Sequence, residues 1–390
     1  MLTNLYVLRF FVMLLLILAF MHFYLWKRLV KDPGLLGKQK KIGTGLIIVL
    51  FFLPWLAKFL ARELAFSQIF PLLWLAYLWL GLITLFFFLF LFTDCLKILC
   101  FLLRCLLPGQ RKRVNPAQKQ RQARAFALFS VLLVGGLAGV GIKQAAKQPV
   151  VQRFPVKLAN LPAAFQGFKI VQISDIHMGE LTSVHKLAKI VQQVNLLQPD
   201  LVAITGDLVD NKSKLLPDGL APLRQLKAKE GVFFVTGNHE YYSGIEDWLP
   251  EIEKQGVRIL RNERIELQRG TETLVIAGVN DHRAGRFGKK EAPDYAKALG
   301  GLVNKKIILL AHQPLAIKEV APYGVDLMIS GHTHGGQIWP FSYLVHLKQP
   351  YLKGFYQEQN TLLFVSQGTA CWGPPLRIGT QNEIIELTLQ

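Results

Sequence analysis

The sequence predicts an α/β domain preceded by an N-terminal bundle of about four transmembrane helices. Three observations carry this. Apolar stretches close to 20 residues long crowd the first 143 positions; from residue 169 onward, short β-branched runs alternate with helical stretches; and those runs stop repeatedly on Asp, Asn or His. At 390 residues the chain has room for a membrane part and one domain of about 240 residues.

Four apolar segments meet the length of a helical span: about 5–26, 42–60, 70–92 and 125–142. The fourth is the least hydrophobic. The first lacks a basic start and another span follows it, which separates it from a cleavable signal peptide. Tyr24, Trp26 and Trp55 lie near span ends, where aromatic rings suit the membrane interface or simply face lipid. Residues 1–143 are therefore expected to form the transmembrane region. Residues 144–168, basic and broken by Pro149, Pro155 and Pro162, read as a linker, and 169–390 as the soluble domain.

Charge sets an expected orientation. Residues 1–150 hold 19 Lys and Arg against 3 Asp and Glu, whereas residues 151–390 hold 26 against 23. Nearly all of the net charge of +19 therefore lies beside the spans and not on the soluble domain, and no nucleic-acid partner is expected. The loop after the first span carries Lys27, Arg28, Lys31, Lys38, Lys40 and Lys41 against Asp32. The segment after the third carries Arg104, Arg111, Lys112, Arg113, Lys119, Arg121 and Arg124 with no acid, and the short second loop has Lys58, Arg62 and Glu63. The positive-inside rule puts the two basic loops in the cytoplasm and the domain after residue 143 on the extracytoplasmic side. Thr93–Leu107 is apolar but broken by Asp94, Lys97 and Arg104; it reads as a helical extension at the interface, and a crossing there would invert the topology. Cys95, Cys100, Cys105 and Cys371 show no zinc-ribbon or disulfide spacing and read as packing residues.

In the soluble half, strands are expected at Lys169–Ile173, Leu201–Thr205, Val232–Thr236, Leu274–Val279, Lys306–Ala311, Leu327–Ser330, Leu362–Ser366 and Glu383–Leu389. Helices are expected near Ser183–Leu197 and Pro217–Lys229. Where the strands end, polar donors collect, as they do at the sites of open α/β sheets. The first expected strand ends in Asp175 and His177, the second in Asp207 and Asp210, and the third in Asn238, His239 and Glu240. His312 closes another, and His332 and His334 follow Leu327–Ser330, sharing a face of extended backbone. Taken singly, each would suit a turn or a hydrogen-bonded loop. As a set of carboxylates, an amide and imidazoles without thiolates, they suit manganese, iron or zinc and speak against a structural zinc site. Glu240 reads as structural, His185 as a surface residue, and His282 as a cleft or loop residue.

Anionic phosphate esters repel hydroxide. Two cations about 3.5–4 Å apart can bind the ester oxygens and acidify a water, and a shared carboxylate such as Asp207 can bridge them where an imidazole cannot. The blocks Asp-x-His (Asp175, His177), Gly-Asp (Gly206, Asp207), Gly-Asn-His-Glu (Gly237 to Glu240), His312 and Gly-His-x-His (Gly331, His332, His334) stand in the order seen in the calcineurin-like metallophosphoesterases, which residues 155–390 resemble. The stretches Ser-Asp-Ile-His-Met-Gly, Gly-Asn-His-Glu-Tyr-Tyr-Ser-Gly and Gly-His-Thr-His-Gly-Gly-Gln resemble a membrane-associated bacterial subgroup of that superfamily.

The resemblance implies a four-layer fold, a two-sheet β-sandwich flanked by helices, with two divalent ions. It implies Asp175, His177 and His334 as ligands of one metal and Asn238, His312 and His332 as ligands of the other, with Asp207 between them. It also implies that Asn238 and His239 meet the substrate phosphate and that His239 assists the leaving group, with Asp210 placed to orient it. The resemblance implies a phosphohydrolase; with the apolar spans as an anchor and the apolar run Ile338–Val345 beside the last motif, the expected activity is that of a membrane-anchored enzyme cutting a phosphodiester or pyrophosphate bond of a lipid-linked substrate.

Two other readings stay open. A UDP-2,3-diacylglucosamine pyrophosphatase-like enzyme of lipid A synthesis would face the cytoplasm, against the orientation above. A non-catalytic membrane sensor binding a phospholigand would have no need of the complete donor set. The spans hold almost no intramembrane charge and so read as an anchor, not a transport path. Next to the last motif, the apolar run Ile338–Val345 suits either a lipid-facing patch or core packing, while Tyr241, Tyr242 and Trp372 could flank the cleft or pack beneath it.

Overall fold

The chain divides into two compact units, Met1–Gly141 and Ile142–Gln390. The computed structural model describes residues 2–61, 64, 66–106, 115–179 and 181–390; Arg62, Glu63, Leu107, Arg111, Lys112 and Arg113 of the charge argument lie outside the described residues.

The first unit contains helices α1 (Leu2–Trp26), α2 (Gly37–Leu60), α3 (Phe66–Leu106) and the greater part of α4 (Pro116–Ala146). All four are long and apolar enough to cross a membrane, and the expected spans lie within them. Side chains such as Leu16, Val49, Phe92 and Leu132 are exposed on their flanks, which is stable only against lipid. One end of this unit is polar. Arg28, just past α1, pairs with Asp32 at 3.2 Å and also with Asp94. The Tyr24 hydroxyl donates to Asp94 at 2.5 Å, and Arg124 Nε donates to the Pro33 carbonyl at 2.9 Å. The exit of α1, the middle of α3 and the start of α4 therefore meet at one level. Helix α3 runs unbroken for 41 residues, about 60 Å at the α-helical rise. With no turn inside it, Thr93–Leu106 continues the third span in line and does not cross a second time.

In the second unit, twelve described strands form two six-stranded sheets. The first sheet holds β1 (Val150–Val156), β2 (Lys169–Ile173), β3 (Leu201–Thr205), β4 (Val232–Val235), β5 (Arg258–Ile259) and β12 (Glu383–Leu389), in the order β1-β12-β2-β3-β4-β5. The second holds β6 (Glu263–Arg269), β7 (Glu272–Gly278), β8 (Lys306–Leu310), β9 (Leu327–Ser330), β10 (Gly354–Glu358) and β11 (Thr361–Val365), in the order β10-β11-β9-β8-β7-β6. Strands β2 to β5 are parallel, as are β7, β8, β9 and β11.

Alternation along the strands builds the layers. Ile170, Ala203 and Phe233 of the first sheet meet Ile276, Ile308 and Ile329 of the second in one shared core. The intervening residues Val171, Val202 and Phe234 face outward, onto α5 (Val184–Leu196) and α7 (Ile245–Glu253), through Leu187, Ile190, Trp248 and Ile252. Val275, Leu309 and Met328 face outward on the far side, against Leu299, Ile317 and Val320. This is the expected four-layer sandwich. Strands covered on both faces are largely apolar, which is why they stood out as near-continuous runs.

Two expectations are corrected. Residues 144–168 are not a free linker. Val150–Val156 pairs in register with Glu383–Leu389, Phe165 and Phe168 are fully buried, and Asn382 Nδ2 donates to the carbonyls of Ala145 and Lys147, satisfying the end of α4. Pro155 is compatible with a strand because β1 lies at the sheet edge. The helix expected near Pro217–Lys229 is only a 3-10 turn, Ala221–Gln225, since Pro217, Gly219 and Pro222 leave no room for a longer α-helix.

Candidate functional site

Each predicted donor sits just past the end of a strand, where parallel strands from both sheets converge. Asp175 and His177 follow β2, Asp207 and Asp210 follow β3, and Asn238 and His239 open the short helix α6 (Asn238–Ser243) after β4. His312 follows β8, and His332 and His334 follow β9. The structure brings all of them into one crevice. The backbone there is bent sharply: Asp175, His177, Asp207, His332 and His334 all have φ between +49° and +73°. Asp and His tolerate this region better than most residues, yet each still costs on the order of 1 kcal/mol. The loops hold one another in that shape, with Asp175 N donating to Gly206 O at 3.1 Å and His177 N to Asp207 O at 3.0 Å.

Glycines permit the close approach. A Cβ on Gly331 would stand 2.0 Å from Ser174 Oγ and 2.3 Å from Asp175 Oδ2, and one on Gly237 would stand 2.2 Å from Asp207 Oδ1. Glu240 is fully buried and binds the site's frame instead of facing the cleft. It accepts from the backbone N–H groups of Gly237 (2.6 Å), Leu208 (2.7 Å), Asp207 (3.1 Å) and Val209 (3.3 Å). Burial, with Asp207 nearby, pushes its pKa up to about 7 despite those donors.

Two donor clusters emerge. Asp175, His177 and His334 form one, with His177 Nε2 3.0 Å from His334 Nε2 and His334 Nε2 3.5 Å from Asp175 Oδ1. Asp207, His312 and His332 form the other, with His312 Nε2 3.1 Å from Asp207 Oδ2 and 3.2 Å from His332 Nδ1. Asp207 Oδ2 also lies 4.0 Å from His177 Nε2 and 4.0 Å from His239 Nε2, so one carboxylate reaches both clusters. A third cluster is a hydrogen-bonded relay in which Asp210 Oδ1 accepts from His177 Nδ1 (2.7 Å) and His239 Nδ1 (2.6 Å).

These contacts fit divalent cations. His177 Nδ1 lies 2.7 Å from Asp210 Oδ1 and His312 Nδ1 lies 2.8 Å from the Thr205 carbonyl, so each ring turns its Nε2 toward the crevice, where the neutral form would offer a cation its lone pair. Burial drives His332 and His334 well below the ordinary imidazole range, reinforced by His312 and His177 respectively, so both rings are neutral. Asn238 Oδ1 is buried with no hydrogen-bond partner among the described residues. Lone pairs turned toward one another and an orphaned amide oxygen are costly unless something positive lies between them. Without a cation a proton does part of this work. Burial opposes charge on His312, but Asp207 and its hydrogen bond hold the ring well above its usual pKa; burial likewise opposes charge on Asp207, which His312 and His239 hold well below its own.

Sequence reasoning missed Arg377. It is 1% exposed, and its guanidinium donates to the carbonyls of Ala370 (2.6 Å), Gln367 (2.8 Å) and His334 (3.3 Å), clamping the loop that carries His334. It also missed Asp281, buried and bound by Gln313 Nε2 at 2.8 Å. His282 faces Glu319 at 3.7 Å instead of joining the cluster. Tyr241 is buried beneath the site, whereas Tyr242 and Trp372 are exposed and set their rings 5.3 Å and 5.6 Å from the His239 ring.

His239 yields a pH prediction. Burial lowers its pKa, but Asp207, Asp210 and the hydrogen bond to Asp210 outweigh this and raise it from 6.5 to about 9. In metal-free protein this stabilisation is complete below about pH 6.5 and is lost as pH rises through about 9. Thermal melting of the chelated full-length protein should therefore fall across that window. The fall should shrink in His239→Ala and after divalent-ion loading, which displaces protons. Identical pH profiles for the chelated protein and the variant would contradict this.

Residues 168–336 match the calcineurin-like phosphoesterase family. The chain is 33% identical over 386 residues to a transmembrane protein with metallophosphoesterase domain from Danio rerio, covering 94% of this chain and 86% of that one. An uncharacterised metallophosphoesterase of Campylobacter jejuni is 34% identical over 387 residues, 96% of each chain. A transmembrane protein with metallophosphoesterase domain from Bos taurus is 36% identical over 315 residues, 75% of this chain and 70% of that one. The similarity reaches into the apolar helices as well as the sandwich. The chain therefore belongs to the calcineurin-like metallophosphoesterases, as a membrane protein that carries a metal-dependent phosphoesterase domain.

Proposed function

We propose that the domain hydrolyses a phosphodiester or pyrophosphate bond of a lipid-linked substrate at a dinuclear metal centre. The observation that carries this is the position of Asp207 Oδ2, within 3.1–4.0 Å of imidazole nitrogens from both donor clusters. Asp175, His177 and His334 would hold one ion and Asn238, His312 and His332 the other, with Asp207 shared. The donor set suits manganese, iron or zinc. When bound, such a pair supplies Lewis-acid activation of water and neutralises phosphate charge.

The chain's own groups supply the rest. His239 is only partly buried, and its Nδ1 is fixed on Asp210, so Nε2 points its proton into the cleft. That is the position of a general acid for the leaving oxygen, with Asp210 fixing the tautomer. Cations nearby would lower the ring's pKa from about 9 toward neutrality, where a proton donor is most effective. Tyr242 and Trp372 flank His239 and could stack on a leaving group larger than a simple alcohol. A binding-only sensor would not require a proton donor poised this way.

The polar end of the helical unit favours an extracytoplasmic domain. Lys27, Arg28, Asp94 and Arg124 gather where α1 ends and α4 begins, and this basic end belongs on the cytoplasmic side. Helix α4 then leads outward, which counts against a cytoplasmic lipid A enzyme. Protease added to intact spheroplasts of a bacterial expression host should remove the domain; protection until lysis would reverse this topology.

The activity test uses full-length protein in detergent, supplied with Mn²⁺ and either bis(p-nitrophenyl) phosphate or p-nitrophenyl phosphate. We expect metal-dependent turnover with the diester preferred. His239→Ala should lower kcat at least about 100-fold while keeping bound metal. Asp207→Asn should lose both activity and metal. Unchanged kcat in His239→Ala, or turnover without metal, would overturn the assignment.

A further inference from the structure

Directly after His334 the chain leaves the crevice and presents a bare apolar face. Trp339 (54% exposed), Phe341, Tyr343 (66%), Leu344 and Leu347 (78%) all stand in solvent around the short helix Ser342–His346. Ile338 beneath them is buried. Packing within the domain therefore does not explain this segment, and five large exposed apolar residues in nine positions exceed the scattered exposure usual on a soluble surface.

The segment is also fixed to the rim of the cleft. Gln337 Nε2 donates to Trp372 O at 2.8 Å, and Trp372 N donates to Gln337 Oε1 at 3.0 Å. Trp339 N donates to Ile378 O at 2.9 Å, alongside the bridge between Ile338 and Ile378. Trp372 in turn stands 5.6 Å from the His239 ring. Whatever covers Trp339–Leu347 is thereby held at a set distance from the metal donors.

We propose that Trp339–Leu347 inserts into the interfacial zone of the lipid bilayer spanned by the chain's own helices. The cleft is then held against the membrane surface, where it meets phosphate esters borne by lipids. This deepens, and rests on, the membrane-anchored phosphohydrolase reading above. Three features favour a bilayer over a protein partner. Residues 339–353 mix aromatic and aliphatic side chains with Lys348 and Lys353, both exposed, and contain no Asp or Glu. That is the composition of an interfacial segment facing anionic lipid. Only residues 147–149 separate β1 from α4, a helix long and apolar enough to cross a membrane, so a bilayer is the surface to which the domain is covalently joined. Finally, the apolar residues are adjacent in sequence on a single turn of helix with its flanks, which suits shallow insertion; a protein groove would read a longer stripe.

Fluorescence quenching in proteoliposomes tests this with the full chain. The exposed Cys95, Cys100 and Cys105 are replaced by serine, leaving buried Cys371. A single environment-sensitive dye is then attached through Tyr343→Cys or, as a control on α7's exposed end, Lys254→Cys. The vesicles contain phosphatidylcholine and phosphatidylglycerol, with or without brominated acyl chains. We expect quenching by brominated lipid at least about threefold greater at position 343 than at 254. Adding Leu344→Asp and Leu347→Asp should abolish the difference while leaving turnover of the water-soluble diester intact. Equal quenching at the two positions overturns the proposal, as does a blue-shifted dye at 343 that brominated lipid does not quench. Loss of diester turnover in unsubstituted protein would count against the hydrolase reading, and the quenching comparison would still decide the docking.

Discussion

The site depends on one electrostatic constraint: buried carboxylates and imidazoles facing one another need positive charge between them. Asp175 and Asp207 are buried and Asp210 is half-buried beside them, and burial raises the pKa of Asp175 above its ordinary value. His332 and His334 cannot supply the charge, because burial and neighbouring cations keep them neutral. Protons on His312 and His239 meet part of the demand in the bare protein. Divalent cations would meet it more fully and would also occupy the Asn238 amide oxygen, which has no other partner among the described residues. Sequence order, bent loops and close-packed glycines all serve to hold these donors near one another until that charge arrives.

The sandwich supplies the stiffness. Parallel strands from two sheets end side by side, and Gln172 ties the sheets together below the crevice by donating to Thr205 Oγ1 at 2.7 Å and Ser330 O at 2.9 Å. Left-handed backbone at five donor residues persists because neighbouring loops exchange hydrogen bonds and because Arg377 and Glu240 bind those loops from behind. Arg377 and Glu240 act on the loop backbones and not on the cleft itself.

Much of this was readable from residue order because strands buried on both faces are largely apolar, and polar donors end them abruptly. Asp175, His177, Asp207, Asn238, His312, His332 and His334 all announced themselves that way. Strand β1 did not, since Val150–Val156 is a half-exposed edge interrupted by Arg153 and Pro155. Strands β6, in which Ile265 and Leu267 stand between polar residues, and β10, a half-exposed Gly-Phe-Tyr-Gln-Glu, were likewise hidden. Arg377 gave no signal: its partners are backbone carbonyls of a folded loop, and Leu376-Arg377-Ile378-Gly379 looks like an ordinary surface turn. The exposure of Trp339–Leu347 could not be told from core packing by composition alone, because both demand the same residue types.

The most direct test of the shared-carboxylate centre is the metal content and electron paramagnetic resonance of manganese-loaded full-length protein. The account predicts about two ions per chain with an exchange-coupled spectrum, as expected for ions about 3.5–4 Å apart. One ion per chain, or two without exchange coupling, would contradict a centre bridged by Asp207.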